Sequence, residues 1–158
     1  MRFNNKIRNV ELEISDDLID QFELLGREHY PNEFGGFLIG TYTSDSRILS
    51  ITDMILPKQY EGLPYSFYRS SEGTEKTLKE FYEQEPRKYY VGEWHTHPNG
   101  TTTYSQTDLN AMISIEQCPT VKINNPILLI ISIKKDSPLE FDFYLYEKNK
   151  LSKYGKIN

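Results

Sequence analysis

Cysteine is almost absent from this chain of 158 residues, which contains only Cys118. A single thiol cannot form an internal disulfide, and it has no neighbour with which to form a Cys-x-x-Cys metal site. A chain of this length buries a sizeable core without such cross-links. We therefore expect one domain, residues 1–158, in a reducing compartment, with the cytoplasm as the default location. We interpret Cys118 as a packing residue at a helix end rather than as a nucleophile.

Long apolar runs and an excess of positive charge are also missing. No window reaches the 18 or more apolar residues of a membrane span, and residues 1–5 contain no apolar core of a signal peptide. Lysine and arginine number 18 against 23 acidic residues, so the net charge is −5. Nucleic-acid binding needs a basic surface. The composition thus argues against both a membrane and a nucleic acid as partners.

Aromatic residues are plentiful, with 12 tyrosines, and several cluster between residues 60 and 90. Tyrosine combines apolar area with a polar tip, which suits a protein interface. The same cluster could instead cover a seam between a strand and a helix. Both interpretations stay open.

The order of apolar patterns predicts an α/β domain. The expected elements are a strand at 10–14, a helix capped by Ser15, a hairpin of 34–43 and 47–56, a loop at 57–64, a short strand at 65–69, a helix around 78–82, a strand ending near 97, a helix after Ser105, and strands at 127–131 and 139–145. This order predicts one central mixed sheet of about six strands, flanked by helices. We expect the polar residues 148–158 to form a short or frayed end.

Two histidines separated by one residue end the aromatic, β-prone run of residues 88–94. Side chains alternate between the faces of a strand, so His95 and His97 lie on the same face. Pro98 cannot donate to a neighbouring strand and fits the end of the pairing. Taken alone, such a pair is more often two exposed or packed histidines than a metal site.

A serine and an aspartate follow at the spacing of a helix start. Ser105 suits the N-cap and Asp108 the third helical position, which is first of all the pattern of a capping box. However, His95 and His97 are two of the three histidines in the chain, and the carboxylate lies within one loop of them. The combination favours a three-ligand site, and catalytic zinc is held by three protein ligands with a fourth position for water.

The segment beginning at Glu33 extends this pattern. Glu33-Phe34-Gly35-Gly36 leads from a carboxylate through two glycines into an apolar run. Together with the His-x-His-Pro segment, the seven intervening residues and Ser-x-x-Asp, it resembles the JAMM (MPN-type) metalloprotease signature at every position. The sequence of residues 92–98 is most similar to that of the bacterial, JAB-like branch. This branch includes deconjugating peptidases of ubiquitin-like antiphage operons.

The resemblance implies roles for five residues. It implies that His95, His97 and Asp108 bind zinc, that Glu33 is the general acid and base, and that Ser105 helps to stabilise the oxyanion. It also implies the cytidine-deaminase-like three-layer arrangement of JAMM domains. A true cytidine deaminase is not expected, because its His-x-Glu and Pro-Cys-x-x-Cys zinc signature is absent.

Two further titratable residues need an interpretation. Glu93 should share the face of His95 and could be a partner of the ligands, a rival base or a charge at the sheet edge. We favour a peripheral position or one behind the ligands. His29 lies near a predicted helix end, where a cation suits the helix dipole, and we interpret it as a non-ligand.

The resemblance leads to two functional hypotheses. The first is a zinc isopeptidase or peptidase that cuts after the C-terminal tail of a ubiquitin-like or sulfur-carrier protein, with conjugation enzymes as possible operon partners. The second is a non-catalytic MPN-type scaffold that binds a protein through its tyrosines. Scaffolds of that type usually lack the ligands, whereas this chain has all of them. The sequence does not determine the oligomeric state.

Overall fold

The computed structural model describes residues 1–157. In chain order the elements are β1 (Arg2–Asn5), β2 (Val10–Ile14), α1 (Asp16–His29), β3 (Gly35–Tyr42), β4 (Ile48–Ile55), β5 (Tyr60–Leu63), β6 (Ser66–Arg69), α2 (Glu75–Tyr82), β7 (Tyr89–Pro98), α3 (Gln106–Gln117), β8 (Ile127–Ile133), β9 (Glu140–Glu147), β10 (Lys150–Lys153) and β11 (Gly155–Lys156). Within residues 1–157, no helix has both the length and the hydropathy needed to cross a bilayer.

The centre of the fold is a mixed sheet with nine strands in the order β10-β9-β8-β7-β3-β4-β2-β1-β11. The pairs β2–β4 and β7–β8 are parallel, and the other neighbours are antiparallel. The predicted α/β class and the central mixed sheet are confirmed. The expected number of about six strands was too low, because three of the strands are short and mostly polar.

The end of the chain also differs from its prediction. We expected residues 148–158 to be a short or frayed end, but β10 pairs with β9 and β11 pairs with β1. Leu151 and Tyr154 are buried in this segment. The polar composition of this segment gave no sign of these strands, because only these two large apolar side chains anchor it. Asn158 lies outside the described residues.

The sheet curls until its two ends meet. The ring of Phe3 in β1 packs edge-on against Phe143 in β9, with 5.1 Å between the ring centroids. Nearby, Asn5 Nδ2 donates to Ser152 Oγ at 2.8 Å. One face of the sheet therefore becomes a concave interior that holds the largest hydrophobic cluster.

Helices pack on both faces of this sheet. Ser15 caps α1 by accepting a hydrogen bond from the Leu18 amide at 3.2 Å, and α1 buries Leu18 and Phe22 in the concave cluster. On the convex face, α3 packs over β8 through Met112, while α2 packs over β3. The predicted flanking helices are confirmed. The closer likeness to a cytidine deaminase stays a prediction.

Strand β8, predicted as a strand at 127–131, separates the two layers. All of its residues, Ile127–Ile133, are buried. Leu129 and Ile131 belong to the concave cluster, whereas Leu128 and Ile130 pack with the cluster under α3. Burial on both faces is typical of a strand inside a sheet that helices cover.

Two hairpins follow α1 in the chain, one formed by β3 and β4 and the other by β5 and β6. The predicted hairpin of β3 and β4 is confirmed, with antiparallel pairing around residues 43–47. Residues 57–64 were expected to be a loop, but β5 and β6 pair within residues 60–69; we call this segment the 60–69 hairpin. Both interpretations of the tyrosine cluster find support here: Tyr65 and Tyr68 are exposed, whereas one face of the partly exposed Tyr60 packs against Phe34.

The buried Tyr154 offers a test of the closed sheet. Tyr154→Ala should lower the free energy of unfolding by about 3 kcal/mol, as expected for a large aromatic side chain removed from a core. The exposed Lys150 in the preceding strand serves as the control, and Lys150→Ala should change it by less than about 0.5 kcal/mol. Urea unfolding of both variants measures the difference. If the two variants had equal free energies of unfolding, residues 148–157 would be frayed as first expected.

Candidate metal centre

Strand β7 brings the two predicted histidines together. It is paired with β3 on one side and with β8 on the other, and His95 and His97 lie on its convex face. Gly35 of β3 stands opposite His95, and a Cβ atom on this glycine would lie 2.8 Å from His95 Cβ and 2.1 Å from the Trp94 carbonyl oxygen. The glycine is therefore needed for the two strands to approach at this point.

The start of α3 supplies the carboxylate. The Ser105 amide donates to Asp108 Oδ2 at 2.6 Å, and the Asp108 amide donates to Ser105 Oγ at 3.1 Å, which completes the predicted capping box. The same carboxylate faces the strand, with Oδ1 3.1 Å from His95 Nε2 and Oδ2 3.6 Å from His97 Nε2. The capping role and the position beside the histidines are thus compatible.

The three side chains form a compact group of potential ligand atoms. The Nε2 atoms of His95 and His97 are 2.9 Å apart, and all three ligand atoms lie within 4.8 Å of one another. Ligand atoms around tetrahedral zinc lie roughly 3.3 Å from one another. The separations therefore fit a small tetrahedral ion.

The second nitrogen of one imidazole is already engaged. His97 Nδ1 lies 2.9 Å from the Thr101 carbonyl oxygen, to which it can donate a hydrogen bond. This bond favours the tautomer whose Nε2 lone pair faces the group, which is the usual arrangement behind a metal-binding histidine.

The electrostatics of the group favour an ionised carboxylate. Burial tends to raise the pKa of Asp108, but the hydrogen bonds and charges of His95 and His97 outweigh this effect and hold the pKa well below its usual range. Burial tends to lower the pKa of His97, whereas its bonds to Asp108 and Thr101 raise it above the ordinary value. The carboxylate is therefore available as an anionic ligand.

Glu33 lies in the segment before β3, within electrostatic range of the same group. Burial raises the pKa of this half-buried carboxyl, and the charges of His95 and His97 oppose the rise. Its backbone amide donates to the Leu63 carbonyl oxygen in the 60–69 hairpin at 2.9 Å. Glu33 thus lies close enough to interact with the imidazoles without belonging to the group of three ligand atoms.

Glu93 is engaged elsewhere. Arg69 Nε donates to one of its oxygens at 2.7 Å and Arg69 Nη2 to the other at 2.5 Å, and the Tyr90 hydroxyl also donates to it. Burial raises the pKa of Glu93, and Arg69 opposes this rise. Glu93 is thus paired with Arg69 and lies outside the group of three ligand atoms, and its role towards the site stays a prediction. Sequence reasoning missed Arg69, because a partner so far along the chain leaves no local pattern.

The remaining candidates lie outside the group. His29 bonds through Nδ1 to the Leu25 carbonyl oxygen at 2.8 Å and stacks on Phe34, in agreement with its interpretation as a non-ligand. Cys118 is the C-cap residue of α3, as its predicted position at a helix end requires; its packing role stays a prediction.

Comparison with known proteins shows the family of this chain. A family model described as prokaryotic homologs of the JAB domain matches residues 15–144, a range that includes all five candidate site residues. A curated protein of Enterobacter hormaechei subsp. hoffmannii (strain UCI 50), described as a CD-NTase/cGAS isopeptidase, is 33% identical over 101 residues. That alignment covers 63% of this chain and 55% of the relative, so the chain spans about half of the relative's length.

A solved structure shares the fold. The solution structure of protein DSY2949 from Desulfitobacterium hafniense superimposes with a TM-score of 0.68 at 17% identity. The superposition covers 90% of this chain and 88% of the other. On the family match over residues 15–144, this chain belongs to the prokaryotic homologs of the JAB domain.

Proposed function

We propose that the chain is a zinc-dependent isopeptidase or peptidase that cleaves after the C-terminal tail of a ubiquitin-like or sulfur-carrier protein. The observation that carries the proposal is the compact group of His95, His97 and Asp108, with the Glu33 carboxyl within electrostatic range of both histidines. The 33% identical relative described as an isopeptidase supports the same type of reaction.

The ligand set favours zinc over other common ions. Two imidazole nitrogens and one carboxylate oxygen suit zinc, whereas magnesium prefers six oxygen ligands in an octahedron. Three protein ligands also leave one position open, as in catalytic zinc sites. When bound in such a site, zinc lowers the pKa of a water to about 7 and polarises a carbonyl group.

Glu33 is the proposed proton carrier. It takes a proton from the attacking water and returns it to the leaving amine of the cleaved bond. Its raised pKa suits this role, because a base with a pKa nearer to neutrality both accepts and releases a proton readily. The bond from the Glu33 amide to Leu63 holds its backbone in place.

Ser105 is the proposed oxyanion helper. Its Oγ accepts a hydrogen bond from the Asp108 amide, which leaves the hydroxyl proton free to point towards a substrate. A donor aimed at the developing negative charge is typically worth about 10²–10³ in rate.

The substrate proposal rests on the surface beside Glu33. The 60–69 hairpin contacts the Glu33 backbone and exposes Tyr65 and Tyr68, whose rings offer apolar contact area to a protein. An extended C-terminal tail can add to the edge of a strand by backbone hydrogen bonds. A ubiquitin-like protein with such a tail fits this surface better than a compact substrate.

The resemblance of residues 92–98 to the bacterial, JAB-like branch also suggests a biological setting. We propose that the chain acts in the cytoplasm on conjugates of a ubiquitin-like protein within an antiphage operon, together with conjugation enzymes. The alternative, a non-catalytic scaffold that binds a protein partner, is favoured only by the exposed tyrosines. The complete set of Glu33, His95, His97, Ser105 and Asp108 argues against it.

The metal content tests the ligand set. The purified protein should contain about one zinc ion per chain, and His95→Ala and Asp108→Ala should each lose it, because two ligands hold zinc far more weakly than three. Elemental analysis after reconstitution with zinc measures the content. His29→Ala is the control and should retain the metal. Full zinc content in either ligand variant would show that the ligands were wrongly chosen.

The proton carrier is tested by Glu33→Gln. This change keeps the shape of the side chain and removes the base, so turnover should fall by about 10²–10⁴ while zinc content and the melting temperature stay near those of the wild type. Cleavage of a ubiquitin-like fusion protein or an isopeptide conjugate measures turnover.

Ser105→Ala should give the smaller loss of about 10²–10³ in the same assay, with about 1 kcal/mol of lost stability from the missing cap. If Glu33→Gln retained full activity, the assignment of the base would be wrong.

The type of nucleophile is tested at Cys118. Cys118→Ser should leave cleavage nearly unchanged, because the proposed nucleophile is water. Thiol-blocking reagents should likewise have little effect, while a strong zinc chelator should abolish cleavage. The opposite order of inhibition would indicate a cysteine mechanism.

A further inference from the structure

The 60–69 hairpin is attached to the metal-site strand by a buried ion pair. The guanidinium of Arg69 in β6 makes two bonds, at 2.7 Å and 2.5 Å, to the carboxylate of Glu93 in β7. Glu93 is only 8% exposed. Arg69 also lies over the ring of Phe37, with its guanidinium carbon 4.5 Å from the ring centroid. This planar, two-point geometry fixes the orientation of the guanidinium relative to the carboxylate as well as the distance between them.

The other end of the hairpin holds Glu33. The carbonyl oxygen of Leu63 accepts the Glu33 amide at 2.9 Å. The next residue back, Gly62, is so close that a Cβ atom on it would lie 2.3 Å from the Glu33 carbonyl oxygen. The backbone of the proposed base therefore rests directly on the hairpin.

These contacts form a path that links His95 to Glu33 through the hairpin. From His95 the path runs two residues back along β7 to Glu93, crosses to Arg69 and follows the hairpin through Leu63 to Glu33. We propose that Arg69 is a positioning residue, which docks the 60–69 hairpin on β7 and thereby holds Glu33 opposite His95 and His97 before a substrate binds.

The proposal rests on the proposed role of Glu33 and adds a cause for its placement. Without Arg69 the hairpin keeps its aromatic contacts, such as Phe67 against Phe34, but loses its ion pair to Glu93 of β7. A shift of about 1 Å in a catalytic group can lower the rate by about 10². Loss of Arg69 should therefore act on turnover more than on folding.

The main variant removes both charges. Arg69→Met alone leaves a buried carboxylate without its partner, which is strongly destabilising. The double variant Arg69→Met/Glu93→Gln avoids this and keeps an acceptor for the Tyr90 hydroxyl. A control is the Lys88–Asp53 pair, in which Nζ and Oδ2 are 2.6 Å apart, both side chains are partly buried and neither residue belongs to the hairpin. Its double variant is Lys88→Met/Asp53→Asn.

The experiment follows hydrogen exchange at the Glu33 amide by NMR, together with zinc content, kcat and KM. In the Arg69/Glu93 variant this amide should exchange at least about tenfold faster than in the Lys88/Asp53 variant, since only the first releases the hairpin. kcat should fall at least about tenfold with zinc content unchanged. Arg69→Lys keeps the charge without the two-point geometry. Its exchange rate at the Glu33 amide and its kcat should therefore lie between those of the wild type and the double variant.

Unchanged protection of the Glu33 amide, or a kcat equal to that of the control, would overturn the proposal. An equal loss of Glu33 amide protection and of kcat in both double variants would also overturn it, because such a loss would reflect lower stability alone. The exchange measurement does not depend on activity. Suppose that the wild-type protein lacks peptidase activity and that the Glu33 amide loses protection only in the Arg69 variants. This result would refute the proposed function but would support the docking role of Arg69.

Discussion

The pairing of β7 on both edges is the constraint on which the site depends. Its register with β3 and β8 sets the direction of every side chain along it, so His95 and His97 converge on the convex face. Trp94 and Thr96, which alternate with them, are 1% and 0% exposed on the concave side. The core thus holds the strand in place through one set of residues and leaves the other set for chemistry.

Asp108 shows how the fold and the site share one side chain. Its carboxylate completes the capping box with Ser105 and faces both imidazoles at the same time. The cap orients the start of α3, and the start of α3 aims the carboxylate at β7. A substitution there removes a helix cap and a potential ligand together, so its stability effect and its metal effect must be measured separately.

The parts that the sequence predicted are those with a local physical cause. Strand alternation is enough to place His95 beside His97, and capping is enough to place Asp108 on the first turn of α3. The missed strands β1, β10 and β11 are short and polar, and they form because the two ends of the sheet meet. Neither that closure nor the pairing of Arg69 with Glu93 leaves a pattern within any short window of the chain.

The position of the site follows from how apolar contacts are distributed on the convex face. One cluster lies under α3, around Met112 and Ile130, and another lies under α2, around Phe37 and Ile39. Strand β7 runs between these clusters, and its convex residues are polar where neither helix covers them. Glu93, the most buried of them, has its charge matched by Arg69. His95 and His97 are left facing Asp108, so the part of β7 between the two apolar clusters is where polar side chains can be accommodated.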